Sequence, residues 1–344
     1  MKLFLHPGHA KCGSTSIQRA IVRNRQVLAD QGIIVPDHHL RLPGEAGFEA
    51  RAETPRDLFR RLKASGDLGE LEKRLQVWRK TPSLRDVTLV ISAENLINHL
   101  MQPIGRQLHG LLADAFDEVE VIYYIRRQDD YLLAAWQQWG FKEGKGFEAY
   151  CEQARQQRNP HYLAIGQAFG SLYGREHVTI RPLMPEALRG GDLLSDFFSR
   201  LGVPSTTLEP AGPRSNLSWN PYLCRLLVEQ PALFRDIHDD ALKQFLQAKL
   251  GPGSALFSRE ADFVDPALAR SIMEHHAAEN RQLQQQFFPL VDYEAVFGLP
   301  TATATTDTLR REKIALRESE LQRQVLGELL AYLHAVAVPA KTPA

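Results

Sequence analysis

The chain has 344 residues, 44% of them hydrophobic and 24% charged, enough for one large domain or two ordinary ones with a sizeable core. Lysine plus arginine and aspartate plus glutamate both total 41, which excludes the global positive field that recruits nucleic acid or an anionic membrane. Cys12, Cys151 and Cys224 form no C-x-x-C pair, no apolar signal core follows "MKLFLHPGH", and no run approaches the roughly 18 residues of a membrane span, so a cytoplasmic location is expected.

In chain order, Lys2 to Leu5 form a short apolar run that stops at Pro7-Gly8, and a helical pattern begins near Ser14 with Ile17, Ile21 and Leu28 on about one face. "GIIVPD" (32–37) reads as a second strand, and the charged stretch 50–80 as helix. "VTLVIS" (87–92), "VEVIYYI" (119–125) and "HVTIRPL" (177–183) read as buried parallel strands, with helical patterns at 129–141 and 146–173 before the last of them. This alternation predicts an α/β fold with a mostly parallel central sheet over at least 1–205 and helices on both faces.

Beyond "GVPSTTLEPAGPRSN" (202–216) the patterns are helical, at 220–234, 238–250 and 266–287, and predict a helical part over 206–297 that packs on the sheet core. "GLPTATATTDT" (298–308) reads as a linker. In 309–344, Ile314, Leu321, Val325, Leu329, Tyr332 and Val336 form the stripe of an amphipathic helix, which either docks on its own core or pairs with a second copy of the chain.

The first strand leads into "HPGHAKCGSTSIQ" (6–18). At such a strand–loop–helix junction, the helix-start amides lack internal partners and carry the positive end of the helix dipole, so they stabilise an anion. Gly8 and Gly13 allow close backbone approach, Ser14, Thr15 and Ser16 can add hydroxyl donors, and Lys11 supplies a charge. A turn with Ser14 as an ordinary helix cap is the plain alternative. Gly13 is followed by Ser rather than by the Lys of a nucleotide-triphosphate loop, which weighs against an ATP or GTP hydrolase. Arg126-Arg127 end a parallel strand where open α/β sheets bind ligands; their alternative is pairing with Asp129, Asp130 or Glu120. Glu94 stands just past another strand and is the candidate general base, or else a helix-start acid after Ser92.

The loop resembles the 5′-phosphosulfate loop of the sulfotransferases that use 3′-phosphoadenylyl sulfate, K-x-G-[ST]-[ST] after the first strand. His6, Gly8, His9, Lys11, Ser16 and Gln18 are similar to the bacterial branch of that family. The resemblance implies a P-loop-like fold and sulfuryl transfer to a hydroxyl or amine without metal. His9, Lys11, Cys12, Gly13, Ser14, Thr15 and Ser16 would lie around the 5′-phosphosulfate, with Lys11 stabilising the bridging oxygen and Glu94 taking the acceptor's proton. Arg126 would hold the 3′-phosphate, and Ala134 replaces the serine that the family places eight residues after that arginine. "PRSNLS" resembles the family's R-x-N-x-S segment and would add Arg214, Asn216 and Ser218.

A nucleotide kinase and a non-catalytic nucleotide-binding protein stay open as alternatives. The acceptor, a small molecule or a glycan, would be gripped by 38–85 and 140–175, where Trp136, Trp139, Phe141 and Tyr150 form either an aromatic wall or helix core. His38-His39 and His275-His276 read as solvated pairs, with an acceptor contact as the alternative for the first pair.

Overall fold

On each central strand, alternate side chains enter two different cores, which requires cover on both faces of the sheet. In a computed structural model, which describes residues 1–209, 217–258, 260, 262–299 and 307–337, the five strands are β1 (Lys2–His6), β2 (Ile33–Ile34), β3 (Thr88–Ser92), β4 (Glu118–Ile125) and β5 (Val178–Pro182). Their order is β2-β3-β1-β4-β5 and all pairings are parallel. The chain therefore has the α/β class expected from its sequence.

The first helices are α1 (Ser14–Arg23), α2 (Arg25–Ala29), α3 (Arg56–Ser65), α4 (Gly69–Lys80) and α5 (Pro103–Ala115). Phe4, Val90, Ile122 and Tyr124 share one core with Ile17 and Ile21 of α1, Leu28 of α2, and Phe197 and Phe198 of the helix Leu193–Arg200. The odd-face residues Leu3, Leu5, Leu89, Ile91, Val121 and Tyr123 are also buried; on that side Tyr123 meets Phe169, and Phe169 meets His109 of α5.

Several elements are shorter than their periodicity suggests, for local reasons. The strand expected at 32–37 keeps only Ile33–Ile34. Pro36 offers no N–H, and the buried Asp37 carboxylate accepts the amides of His39 and Arg41, which turns the chain. The helical stretch 50–80 divides at Gly66, which caps α3 with φ 72°. The stretch 146–173 divides into Phe147–Gln156 and Tyr162–Tyr173, with Pro160 between them. The helices α5 and Leu193–Arg200 were not anticipated.

The described chain divides into two compact units. One comprises Met1–Arg127, His161–Gly212 and Ala277–Gly298, and the other Gln128–Pro160, Pro213–His276 and Leu299–Ala344. The ranges read along the chain, 1–297 and 309–344, do not separate these two. The first unit holds the whole sheet. The second is helical, with a core in which Trp136 stacks on Phe263 at 5.5 Å and Phe141 and Phe147 pack beside them, so the aromatic residues at 136–150 are core. Helix Asp307–Ala337 docks on this core through Leu321, which is 1% exposed, and is held by Arg317–Glu260 (2.7 Å) and Arg225–Glu318 (2.8 Å). Docking on its own core is thus what the described stripe does; the expected linker lies largely outside the described residues. His276 is buried, against the expectation of a solvated pair, because it follows Ile272 by one helical turn. Among the described residues no helix is long and apolar enough to cross a membrane.

A buried polar hub in the sheet unit centres on Asp196. Asp196, 1% exposed, accepts from Tyr124 Oη (2.8 Å), the Arg189 amide (3.0 Å), Arg181 (3.2 Å) and Arg200 (3.3 Å). Burial alone would raise its pKa; the hydrogen bonds from Arg189 and Tyr124 and the charges of Arg200 and Arg181 outweigh it and hold it below 3.8. Asp196→Ala should cost about 3–5 kcal/mol in denaturant unfolding at pH 7, because two arginines lose their buried counter-charge. A depressed carboxylate stabilises the fold above its unfolded pKa, so the wild-type advantage should shrink as pH falls from 3.8 through the lower folded value.

Candidate functional site

β1 is flanked by β3 and β4, so the chain reverses its direction of travel across the sheet at β1, and the crevice at the carboxyl ends of such strands is where open α/β sheets bind ligands. Three segments converge there: the loop 7–13 after β1, residues 93–98 after β3, and Arg126 after β4.

The loop bends through left-handed conformations at Gly8 (φ 59°), Lys11 (φ 63°) and Gly13 (φ 83°). For Lys11, which has a Cβ, this conformation is sparsely populated and is sustained only by its surroundings. Two hydrogen bonds converge on the carbonyl of His9, from the Cys12 amide (3.1 Å) and the Ser14 hydroxyl (3.0 Å). Gly13 then opens α1 without a side-chain cap, accepting from the amides of Ser16 (3.0 Å) and Ile17 (3.2 Å). A Cβ at Gly13 would stand 2.3 Å from Leu193 Cδ2 in a left-handed backbone, so any other residue would strain the loop and displace Leu193.

The loop's other candidate groups are committed inward. The His9 ring is buried against Tyr162 (5.3 Å) and Tyr123 (5.9 Å), and burial holds its pKa down to about 4. His6 donates to or accepts from Ser92 Oγ at 2.7 Å and is pushed down to about 3 by burial. Both are neutral near pH 7 and unsuited to hold a proton for transfer. Cys12 is fully buried and its thiol is pushed up to about 12, mainly by burial, which removes nucleophilic character. What the loop can present to an anion is the start of α1, the Lys11 charge, the half-buried Thr15 and the exposed Ser16.

Glu94 reaches this loop because β1 and β3 run in register, His6 opposite Ser92, and the Ala93 amide extends the ladder to the His6 carbonyl (3.0 Å). One step later, Glu94 is packed against Gly8: a Cβ at Gly8 would lie 3.1 Å from Glu94 Cα and 3.2 Å from its Cγ. Its carboxyl is raised above the ordinary 4.5 by burial, although the charges of Arg56 and Lys11 pull it down. Arg56 was not anticipated, nor was Lys63. The latter, 8% exposed, donates to the carbonyls of Asn95 and Asn98, and Asn95 Nδ2 donates to the Arg56 carbonyl, which fastens α3 to the turn bearing Glu94. The available signal for Lys63 was its position one turn after Phe59, on the apolar face of α3.

β4 continues four residues beyond Val121, the partner of Leu5, before it ends, so Arg126 follows the strand past the end of β1. Arg126 Nη1 lies 3.5 Å from the Lys11 carbonyl, and its amide donates to Tyr162 Oη at 3.3 Å. Arg127 turns elsewhere and donates to the Gly298 carbonyl at 2.8 Å. Glu120, one alternative partner for these arginines, instead meets His177 at 2.6 Å. Arg214 and Asn216 lie outside the described residues; Ser218 and the buried Ala134 belong to the helical unit.

Glu118, Glu120 and His177 could offer three ligand atoms to a metal ion within 4.8 Å of one another, at the amino ends of the strands, across the sheet from the loop. Each already has a partner, His177 with Glu120 and Glu118 with Lys2 (2.6 Å).

No protein-family model matches the chain, and no curated protein matches it. A solved sulfotransferase from Alicyclobacillus acidocaldarius is similar at 15% sequence identity over 82% of this chain and 94% of that one, with a TM-score of 0.38. At that level of likeness, function rests on the residues described above.

Gly8→Ala places a methyl group against Glu94 in a left-handed backbone. It should lower stability by about 1–3 kcal/mol in thermal or denaturant unfolding, whereas Gly32→Ala, also at positive φ but with no atom within 4 Å of the added Cβ, should show the backbone cost alone.

Proposed function

We propose that the chain is a sulfotransferase that moves a sulfuryl group from 3′-phosphoadenylyl sulfate to a hydroxyl or amine. The observation that carries this reading is the convergence of a lysine-bearing anion loop, an arginine and a half-buried carboxylate on one sheet edge, Glu94 against Gly8 and Arg126 against the Lys11 carbonyl.

On this reading the 5′-phosphosulfate lies at the start of α1, with Gly13 as the close-approach point and Lys11, Thr15 and Ser16 around it. Ser14 contributes its amide, since its hydroxyl donates to His9. Arg126 takes the 3′-phosphate through its planar donor fork. The acceptor oxygen or nitrogen attacks sulfur as its proton passes to Glu94. The bond from sulfur to the bridging phosphate oxygen breaks, and the charge left on that oxygen is met by Lys11 and the helix-start amides. Adenosine 3′,5′-bisphosphate then leaves. Burial makes Glu94 a stronger base than an exposed carboxylate, and Lys11 and Arg56 keep it ionisable.

Isothermal calorimetry in EDTA tests the donor site. Adenosine 3′,5′-bisphosphate should bind, and Lys11→Ala and Arg126→Ala should each weaken it by about tenfold or more. Binding of ATP that requires Mg²⁺, without binding of the bisphosphate, would replace this reading with a phosphotransferase.

The base has a separate test in the pH dependence of transfer. As Glu94 protonates, kcat/KM should fall on the acid side, with the midpoint above 4.5. Glu94→Gln should lose about 10²–10⁴-fold in kcat together with that acid limb; full activity in this variant, with donor binding intact, would assign the proton to another group.

A further inference from the structure

One cleft of the sheet unit lies away from the loop. It has a volume of about 750 Å³, within the range of about 300–1,000 Å³ typical of ligand sites, and is lined by His38, His39, Glu53, Asp57, Arg60 and Arg61 among others. Four of its lining residues, Asp57, Arg60, Arg61 and Ala64, follow helical spacing and form one face of α3.

The opposite wall is held by buried charges. Arg25 of α2 donates to the carbonyls of Ala50 (2.7 Å), Ala52 (2.7 Å) and Pro36 (2.9 Å), and Asp37 accepts the amides of His39 (2.8 Å) and Glu49 (3.2 Å). Segment 36–52 is thereby fastened before any ligand arrives, which lowers the ordering cost of binding. The cleft is linked to the base through the start of α3. Thr54 and Asp57, both lining residues, flank Arg56, whose carbonyl accepts from Asn95 and whose charge acts on Glu94.

The lining determines what fits. Leu58 is its largest apolar side chain, and its only rings are the two imidazoles, so a phenol, a sterol or an acyl chain finds no apolar wall. The carboxylates Glu49, Glu53 and Asp57 face Arg60 and Arg61, a mixed field that repels a polyanion rather than collecting it. Asp57 pairs with Arg60 at 3.2 Å and Arg61 with Glu70 at 2.9 Å, both at exposed positions where pairs are weak and exchange readily with other hydrogen-bonding groups. Carboxylates and guanidinium groups spread over a helix face about 10 Å long match the adjacent hydroxyls of sugar rings. We propose that this cleft holds the remote part of a neutral oligosaccharide acceptor of two or more rings, whose reacting hydroxyl reaches Glu94. The inference rests on the transferase reading of the loop.

The test uses the full chain saturated with adenosine 3′,5′-bisphosphate. Ligands are neutral mono-, di- and trisaccharides of the glucose, galactose and N-acetylglucosamine series, with p-nitrophenol, 1-decanol and a tyrosine-containing hexapeptide as competitors. Binding is read by saturation-transfer NMR and by transfer from a labelled donor. In at least one sugar series, affinity should rise tenfold or more from one ring to three. Glu53→Ala and Arg61→Ala should return the trisaccharide to monosaccharide level, with bisphosphate affinity and thermal midpoint unchanged. Bisphosphate binding without saccharide binding, preference for the phenol, alcohol or peptide, or a trisaccharide gain that survives both variants would overturn the acceptor assignment while leaving the donor site standing. Loss of bisphosphate binding in the wild-type chain would overturn the loop reading and this proposal with it.

Discussion

Gly8 and Glu94 approach so closely that a Cβ on Gly8 would crowd both Glu94 and the Ser14 hydroxyl, and the approach itself follows from the parallel register that sets His6 opposite Ser92. Both strands end at the same level, so the first turn after each meets the other. Parallel pairing brings every strand's carboxyl end to one edge, and a short glycine-bearing loop there exposes helix-start amides to the same space that a carboxylate from the next strand enters. The remaining geometry supports that meeting. Lys63 fixes the turn after β3, the two bonds to the His9 carbonyl fix the loop, and Tyr162 fixes the strand end bearing Arg126.

The electrostatics of this edge are selective. Titratable groups beneath the loop, His6, His9 and Cys12, are driven to their neutral forms by burial. Around the loop stand three basic side chains, Lys11, Arg126 and Arg56, and one carboxylate, Glu94. For the proposed transfer, the two anionic groups of the nucleotide donor would be met there while one carboxylate remains to take a proton. On the proposed reading, the displaced lysine belongs to this balance: its left-handed backbone sets its charge beside both the helix start and Glu94.

The fold was legible where periodicity and packing agree. Residues 87–92 and 119–125 read as buried strands because both faces are covered, and the glycines of 8–13 marked the tight loop between β1 and α1 because its backbone turns through left-handed conformations. Illegible features depended on partners distant in the chain. Lys63 carries no local sign of its role, because its two carbonyl acceptors lie more than thirty residues away. Arg25 carried no local sign that it would hold segment 36–52, and nothing in the apolar pattern of 129–150 showed that it shares a core with Trp219, Tyr222, Phe257 and Phe263 rather than with the sheet. His276 was misread because a pair of histidines is polar by composition, whereas burial on a helix is decided by face.

The most direct test of the account is a crystal structure of the chain with adenosine 3′,5′-bisphosphate. The account predicts the 5′-phosphate at the start of α1, within hydrogen-bond reach of the Gly13–Thr15 amides and Lys11, the 3′-phosphate on Arg126, and the open side of the 5′-phosphate facing Glu94. A nucleotide bound away from the loop, or one whose 5′-phosphate is turned from Glu94, would contradict it.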